Sequence, residues 1–281
     1  VNAYKNKQLK SYFKAAVSFI PAIILAVLLN ITNLLATQEY ADFSTRGETG
    51  LTIEPNGTEK VKSGLDYDYI TEYSYGVMET FNLFIPRFMG GSSSESLGKD
   101  SEVYNEIIQL GASPVQALEF SKNLPTYWGD QTFIGAPAYI GASVLFLFVL
   151  ALFLIKGKTK WWIVGGSILA LLLSWGDNFS LLTKFFVDVV PFYDKFRAVS
   201  SIQVIIEFCV PLLGILGLSK FLSSKVSYES KWNALKNTTF ILVGLSLLFL
   251  LFKSMLFDLS GNTDSMFLKQ YGVKFVRALK E

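Results

Sequence analysis

The sequence predicts an all-α integral membrane fold, a multi-span helical bundle with an ordered extracytoplasmic cap. Three observations predict it. The 281-residue chain contains five apolar stretches, most of which approach the ~20 residues that cross about 30 Å of hydrocarbon. Eleven lysines and a single acidic residue, Glu229, fill the gap before the first stretch and the gaps after the second and fourth. The apolar runs are also unbroken instead of alternating, which argues against a β-barrel.

The elements follow in order. Residues 1–11 form a basic cytoplasmic segment carrying Lys5, Lys7 and Lys10. Residues 12–36 form the first span, with Pro21 tolerable if neighbouring helices cover the kink. Residues 37–137 carry fifteen acidic and six basic residues, the reverse of the lysine-rich gaps. Lysine and arginine bias in short loops marks the cytoplasmic side, so this segment is placed outside. Within it, Pro55-Asn56-Gly57 signals a turn, and Gly90-Gly91-Ser92-Ser93-Ser94 reads as a flexible break. Between them, residues 65–89 interleave Tyr67, Tyr69, Tyr73, Tyr75, Phe81, Phe84 and Phe88 with carboxylates. That pattern fits a segment lying at the membrane interface, and equally an aromatic core of an outer subdomain.

The second span is residues 138–155 and the third 161–175, joined through Lys156, Lys158 and Lys160. Residues 176–198 form an outer loop whose apolar part, 181–190, suits a re-entrant or interfacial helix that Pro191 ends. The fourth span is 199–219, the basic cytoplasmic loop 220–236, the fifth span 237–256, and an outer segment 257–281 closes the chain. The predicted topology is multi-pass with a cytoplasmic N-terminus.

Composition excludes several functions. The chain is 51% hydrophobic and 17% charged, where a soluble domain is about a quarter charged. It has no histidine, which removes the His-containing zinc sites and Ser–His–Asp triads, and no metal cluster is read from the sequence. A net charge of +2 gives no support to a nucleic-acid partner. The single cysteine, Cys209, reads as a buried hydrophobe within the fourth stretch. Neither Gly90-Gly91 nor Gly165-Gly166 sits in the strand–loop–helix context of a nucleotide-binding fingerprint. Val1 in place of an initiator methionine, and the abrupt end at Glu281, suggest a section of a longer protein.

Several short runs carry a resemblance. They are Ser44-Thr45-Arg46-Gly47, Tyr73-Ser74-Tyr75-Gly76 with Glu79-Thr80, and Ile85-Pro86-Arg87-Phe88-Met89-Gly90-Gly91. Two more are Tyr127-Trp128-Gly129-Asp130-Gln131, and Leu173-Ser174-Trp175-Gly176 leading to Tyr193-Asp194-Lys195-Phe196-Arg197-Ala198-Val199-Ser200. Together they resemble the YfhO-type bacterial membrane proteins, in the form common in Bacteroidetes. The resemblance implies a polytopic GT-C-like bundle in the bacterial inner (cytoplasmic) membrane. It implies transfer of a sugar from a polyprenyl-phosphate donor to a cell-envelope acceptor, with dependence on a divalent metal left open. Family members are longer, and no segment here matches the region of their proposed catalytic carboxylate. The resemblance therefore implies an internal or C-terminal section whose partners are membrane lipid, the missing N-terminal transmembrane portion, and an envelope protein or glycan.

Sugar transfer needs a carboxylate for the acceptor, cations for the departing phosphate and an apolar groove for the lipid. Arg197 and Lys195 are the candidate donor-phosphate contacts, with Arg87 behind them because Glu79 could neutralise it. The alternative for Arg197 and Lys195 is interfacial anchoring or pairing with Asp194. Asp194, Asp130, Asp177 and Glu207 are candidate orienting or acceptor-side residues, with Tyr127 and Trp128 as faces for a sugar to stack on. Asp130 could equally cap a helix, and Glu207 could pair with a basic residue of a neighbouring helix. Two functions stay open: a section of a membrane glycosyltransferase, and a non-catalytic transmembrane scaffold or accessory subunit. A transporter is disfavoured, because the two halves show no inverted repeat.

Overall fold

The computed structural model describes residues 9–44, 65–256, 261 and 263–280. Most of the basic segment 1–11, the run Thr45-Arg46-Gly47, the Pro55-Asn56-Gly57 turn and the start of the segment 257–281 lie outside the described residues. The chain divides into two compact units, Val1–Asp66 and Tyr67–Glu281.

The first unit is three consecutive helices: α1 (Leu9–Ser18), α2 (Ile20–Leu29) and α3 (Ile31–Asp42). Pro21 sits in the first turn of α2, where its missing N–H costs no helix bond. The break between α2 and α3 is at Asn30, whose Nδ2 donates to the Ala26 carbonyl at 2.9 Å. That local bond offers the backbone an alternative to the helix ladder. The two helices meet at a 64° bend.

The second unit begins with α4 (Tyr67–Thr71) and a 3-10 turn, Met78–Leu83. Helices α5 (Glu102–Gln109) and α6 (Pro114–Phe120) follow. Ser101 caps α5 by accepting from the Tyr104 amide, and Ser113 and Gln116 form a reciprocal capping box on α6. Residues 89–95 run antiparallel to 124–128. Glu95 and Leu124 exchange backbone bonds of 2.8 and 3.0 Å, Gly91 donates to Thr126 and Trp128 to Met89. The run expected to be a flexible break is therefore hydrogen-bonded on both sides.

The long helices come next: α7 (Ala142–Leu154), α8 (Lys158–Ser174), α9 (Ser180–Val189), α10 (Val204–Leu222) and α11 (Tyr228–Leu256). Leu83, Ala170, Ile206 and Val210 form a buried core with Val144 and Phe148 packed on it. Helices α7 and α10 approach closely because α10 carries Gly214 and Gly217 on the contact face. A Cβ at Gly217 would stand 2.5 Å from the Ala151 Cβ. Helix α11 joins α7 through Ala234 against Leu150 and Leu154. The C-terminal pair, α12 (Asp264–Tyr271) and α13 (Val273–Lys280), packs back onto α5 and α6 in the segment before the long helices, residues 67–137, which form the cap. Phe267, Phe275 and Leu279 complete a core with Val103, Ile107, Ala117 and Leu124.

This architecture corrects the five-span expectation. Among the described residues two helical stretches are long and apolar enough to cross a membrane, Val199–Leu222 and Tyr228–Phe252, or three if the bent pair Ile20–Leu29 and Ile31–Tyr40 is one span. The expected second span, 138–155, yields only the 13 residues of α7, about 20 Å of helix. Gly141 and Gly157, both at φ 110°, bracket it. The expected third span, 161–175, yields the 17 residues of α8, about 25 Å. Both fall short of the hydrocarbon thickness of about 30 Å. The polytopic GT-C-like bundle and the multi-pass inner-membrane topology, which needed five crossings, are overturned with them.

The α7–α10 contact gives a direct test. Gly217→Val should destabilise the purified protein in detergent by ~1–3 kcal/mol, because the Ala151 backbone stands where the side chain must go. Gly244→Ala, with nothing within 4 Å of its Cβ, should leave stability unchanged or slightly higher. Equal thermal shifts for the two variants would contradict the close contact.

Candidate functional site

The polar residues of the cap gather at two places. The first is built around Glu79, in the 3-10 turn, which has no exposed surface. Its Oε2 accepts from the Gly76 amide at 2.5 Å. Its Oε1 accepts from the Tyr127 hydroxyl at 2.6 Å and the Gln131 amide at 3.1 Å. The loop 127–131 wraps the carboxylate so tightly that a Cβ at Gly129 would collide with Glu79 and with the Tyr127 ring. Burial raises the Glu79 pKa above the ordinary carboxylate range. The three donors pull it back, and nearby Asp130 adds to the rise. Burial and the Glu79 charge push the Tyr127 phenol up as well, so it stays a donor.

The second cluster is built on α4 and the turn after it. The Arg197 guanidinium lies 4.5 Å from the Tyr69 ring centre and 4.9 Å from that of Tyr73. Its Nη1 donates to the Tyr69 hydroxyl and its Nη2 to Glu72, both at 2.8 Å. One turn back, the Tyr67 hydroxyl donates to Asp177 at 3.2 Å, with the Lys184 ammonium 5.2 Å from the ring centre. Burial and the Asp177 carboxylate push the Tyr67 phenol up to about 12. The arrangement is a cation–aromatic lattice with both charges of its ion pair satisfied.

The other candidates are distributed around these two clusters. Lys195 pairs with Asp194 at 3.3 Å. Arg87 makes a two-pronged pair with Glu95, at 2.7 and 2.9 Å, and not with Glu79. That pairing, opposed by partial burial, holds the Glu95 carboxyl below its ordinary range. Asp130 is exposed beside Gly76. Trp128 packs against the cap core, with Lys280 5.5 Å from its ring centre. Tyr127 is buried, so neither ring presents an open face of the kind sugar stacking needs. Glu207 is exposed on the first turn of α10 and makes no hydrogen bond or ion pair among the described residues. No group of three or more potential metal ligands occurs among the described residues.

The structure thus brings Arg197 to Tyr69, Tyr73 and Glu72, and Tyr127 to Glu79. It does not gather Arg197, Arg87 and Asp130 around one space. Sequence reading missed Glu79 as a centre and Glu72 as the arginine's partner. The signal for Glu79 was its place as the lone charge between Glu72 and Arg87, three residues after Gly76. No family model matches the chain, and neither a curated protein nor a solved structure does.

The raised Glu79 pKa fixes a sign for pH dependence. The folded state holds this proton more tightly than the unfolded state does. Glu79 therefore adds stability that is fully present below the ordinary carboxylate pKa, and loses it as pH rises through the raised value. Denaturant unfolding from acid to neutral pH should show the native protein losing stability relative to Glu79→Gln as pH increases. Parallel profiles for the two proteins would contradict a proton-linked Glu79.

Proposed function

We propose that the chain is a non-catalytic scaffold or accessory subunit, anchored by its long apolar helices, that presents a rigid cap to another protein. The observation that carries this reading is the commitment of the cap's charges. Arg197 is held by Glu72 and Tyr69, Arg87 by Glu95, Lys195 by Asp194, and Glu79 by three donors. A phosphate clamp needs cations whose donors point at the ligand, and a base needs a carboxylate within reach of the acceptor. Here the donors point at the protein's own carboxylates, and Glu79, whose pKa burial raises, is sealed from solvent. The α5–α6 elbow also leaves Leu110 and Val115 exposed at 57% and 72%, apolar surface of the kind a protein partner covers.

A sugar-transfer role rests on the runs that resemble YfhO-type proteins. Several residues of those runs do packing work in the fold. Tyr75 and Tyr127 are buried, and Trp175 Nε1 donates to Thr80 at 2.9 Å. That use of the motif residues favours the scaffold.

The test is direct. Purified full-length chain, monodisperse and reconstituted in vesicles, is incubated with a polyprenyl-phosphate sugar and a range of acceptors. The scaffold reading expects no saturable donor binding and no transfer above the protein-free control. Transfer that Arg197→Ala abolishes, in protein of unchanged thermal stability, would overturn it.

A further inference from the structure

The segment from α9 to Phe196 exposes apolar side chains that the fold leaves uncovered. Leu181, Phe185 and Val189 recur every fourth residue on α9 and are 80%, 55% and 59% exposed. Phe192 and Phe196 follow at 73% and 71%. The opposite face of α9 is anchored. Thr183 is buried and its hydroxyl donates to the Gly176 carbonyl at 2.8 Å, while Phe186 meets the Tyr193 ring at 5.5 Å. Lys184 and Asp188 border the apolar stripe on one side. The helix is therefore fixed in place with a bare apolar stripe and a charged edge.

Phe192 adds a second observation. Its φ is 65°, in the left-handed region that bulky residues avoid. A strained backbone normally persists where the surroundings over-determine it. Here it holds a phenyl ring outward, 73% exposed.

Continuity identifies what covers the stripe. Three residues after Phe196 the chain enters Val199–Leu222, a stretch long and apolar enough to span a membrane. Beside the stripe stand Tyr67, Tyr69, Tyr73 and Tyr193, with Lys184 and Arg197 over the first three rings. Aromatic rings and cations at the mouth of a span are the composition of the membrane–water boundary. An apolar stripe bordered by charge is what a helix lying in that boundary requires.

We propose that α9 and the turn to Phe196 lie in the lipid–water boundary, with Leu181, Phe185, Val189, Phe192 and Phe196 dipped into the bilayer. The cap is then held at a set height and tilt by this second contact as well as by the helix below it. The inference rests on the reading that α10 and α11 anchor the chain in a membrane.

The experiment places single nitroxide labels on the full chain in a Cys209→Ala background. The protein is reconstituted in phosphatidylcholine vesicles containing phosphatidylglycerol. Labels go at Leu181, Phe185 and Phe192 on the stripe, at Lys184 on its edge, and at Leu247 on α11. Collision with oxygen reports lipid, and collision with a water-soluble nickel chelate reports water. The proposal expects oxygen to dominate at the three stripe positions and nickel at Lys184. Nickel dominating on the stripe, with oxygen dominating at Leu247, overturns the proposal and leaves the anchor standing. Low collision with both reagents on the stripe means that protein covers it, and also overturns the proposal. Nickel dominating at Leu247 as well removes the anchor and the proposal together. Three stripe labels keep the test decisive should one variant fail to fold.

Discussion

Glu79 is a carboxyl group with no exposed surface, and the cap is arranged around it. Removing such a group from water costs several kcal/mol if it is charged and unpaired. The compensation is three donors drawn from two parts of the chain, Gly76 on one side and Tyr127 and Gln131 about fifty residues later. Those donors can reach only if loop 127–131 closes onto the 3-10 turn, and the absence of a side chain at Gly129 lets it close. The same closure sets Trp128 against the cap core and leaves Asp130 at the surface. Met89, Gly91 and Glu95 then pair with Trp128, Thr126 and Leu124 along the ladder that follows.

The cap is tied to the long helices by the same kind of bond. Tyr75 donates its amide to Ser174, Trp175 reaches Thr80, and Asn178 returns to the Tyr75 carbonyl. Each tie joins the start of the cap to the end of α8. Arg197 repeats the pattern from the other side, binding Glu72 from the approach to α10. Arg197, which sequence alone suggests as a phosphate contact, thus serves as a connector between elements. A rigid presenting surface follows from that arrangement more readily than an open reaction site.

Hydropathy made α10 and α11 legible, because each contains a long uncharged apolar run, 208–219 in α10 and 237–252 in α11. It misjudged the second and third stretches for a physical reason. Hydropathy averages composition over a window, whereas a span needs unbroken helix, and Gly141 and Gly157 end α7 after 13 residues. The first stretch was legible as apolar but not as bent, since the bend depends on where the Asn30 amide donates. The partner of Arg87 shows a different limit. Glu79 and Glu95 each lie eight residues away in sequence, so spacing cannot choose between them. The turn at Gly90, with φ 89°, brings Glu95 back to the guanidinium while Glu79 is taken by its own three donors. Tertiary pairing decided which carboxylate was available, and no local pattern records it.

The central claim is that Glu79 locks the cap as a fixed structural unit. Amide hydrogen exchange in the native full-length chain tests it most directly. The account predicts that the amides of Gly76 and Gln131 exchange slowly, and that both lose protection together in Tyr127→Phe, which removes the third donor. Fast exchange at both amides in the native protein would contradict it, as would loss of protection at one without the other.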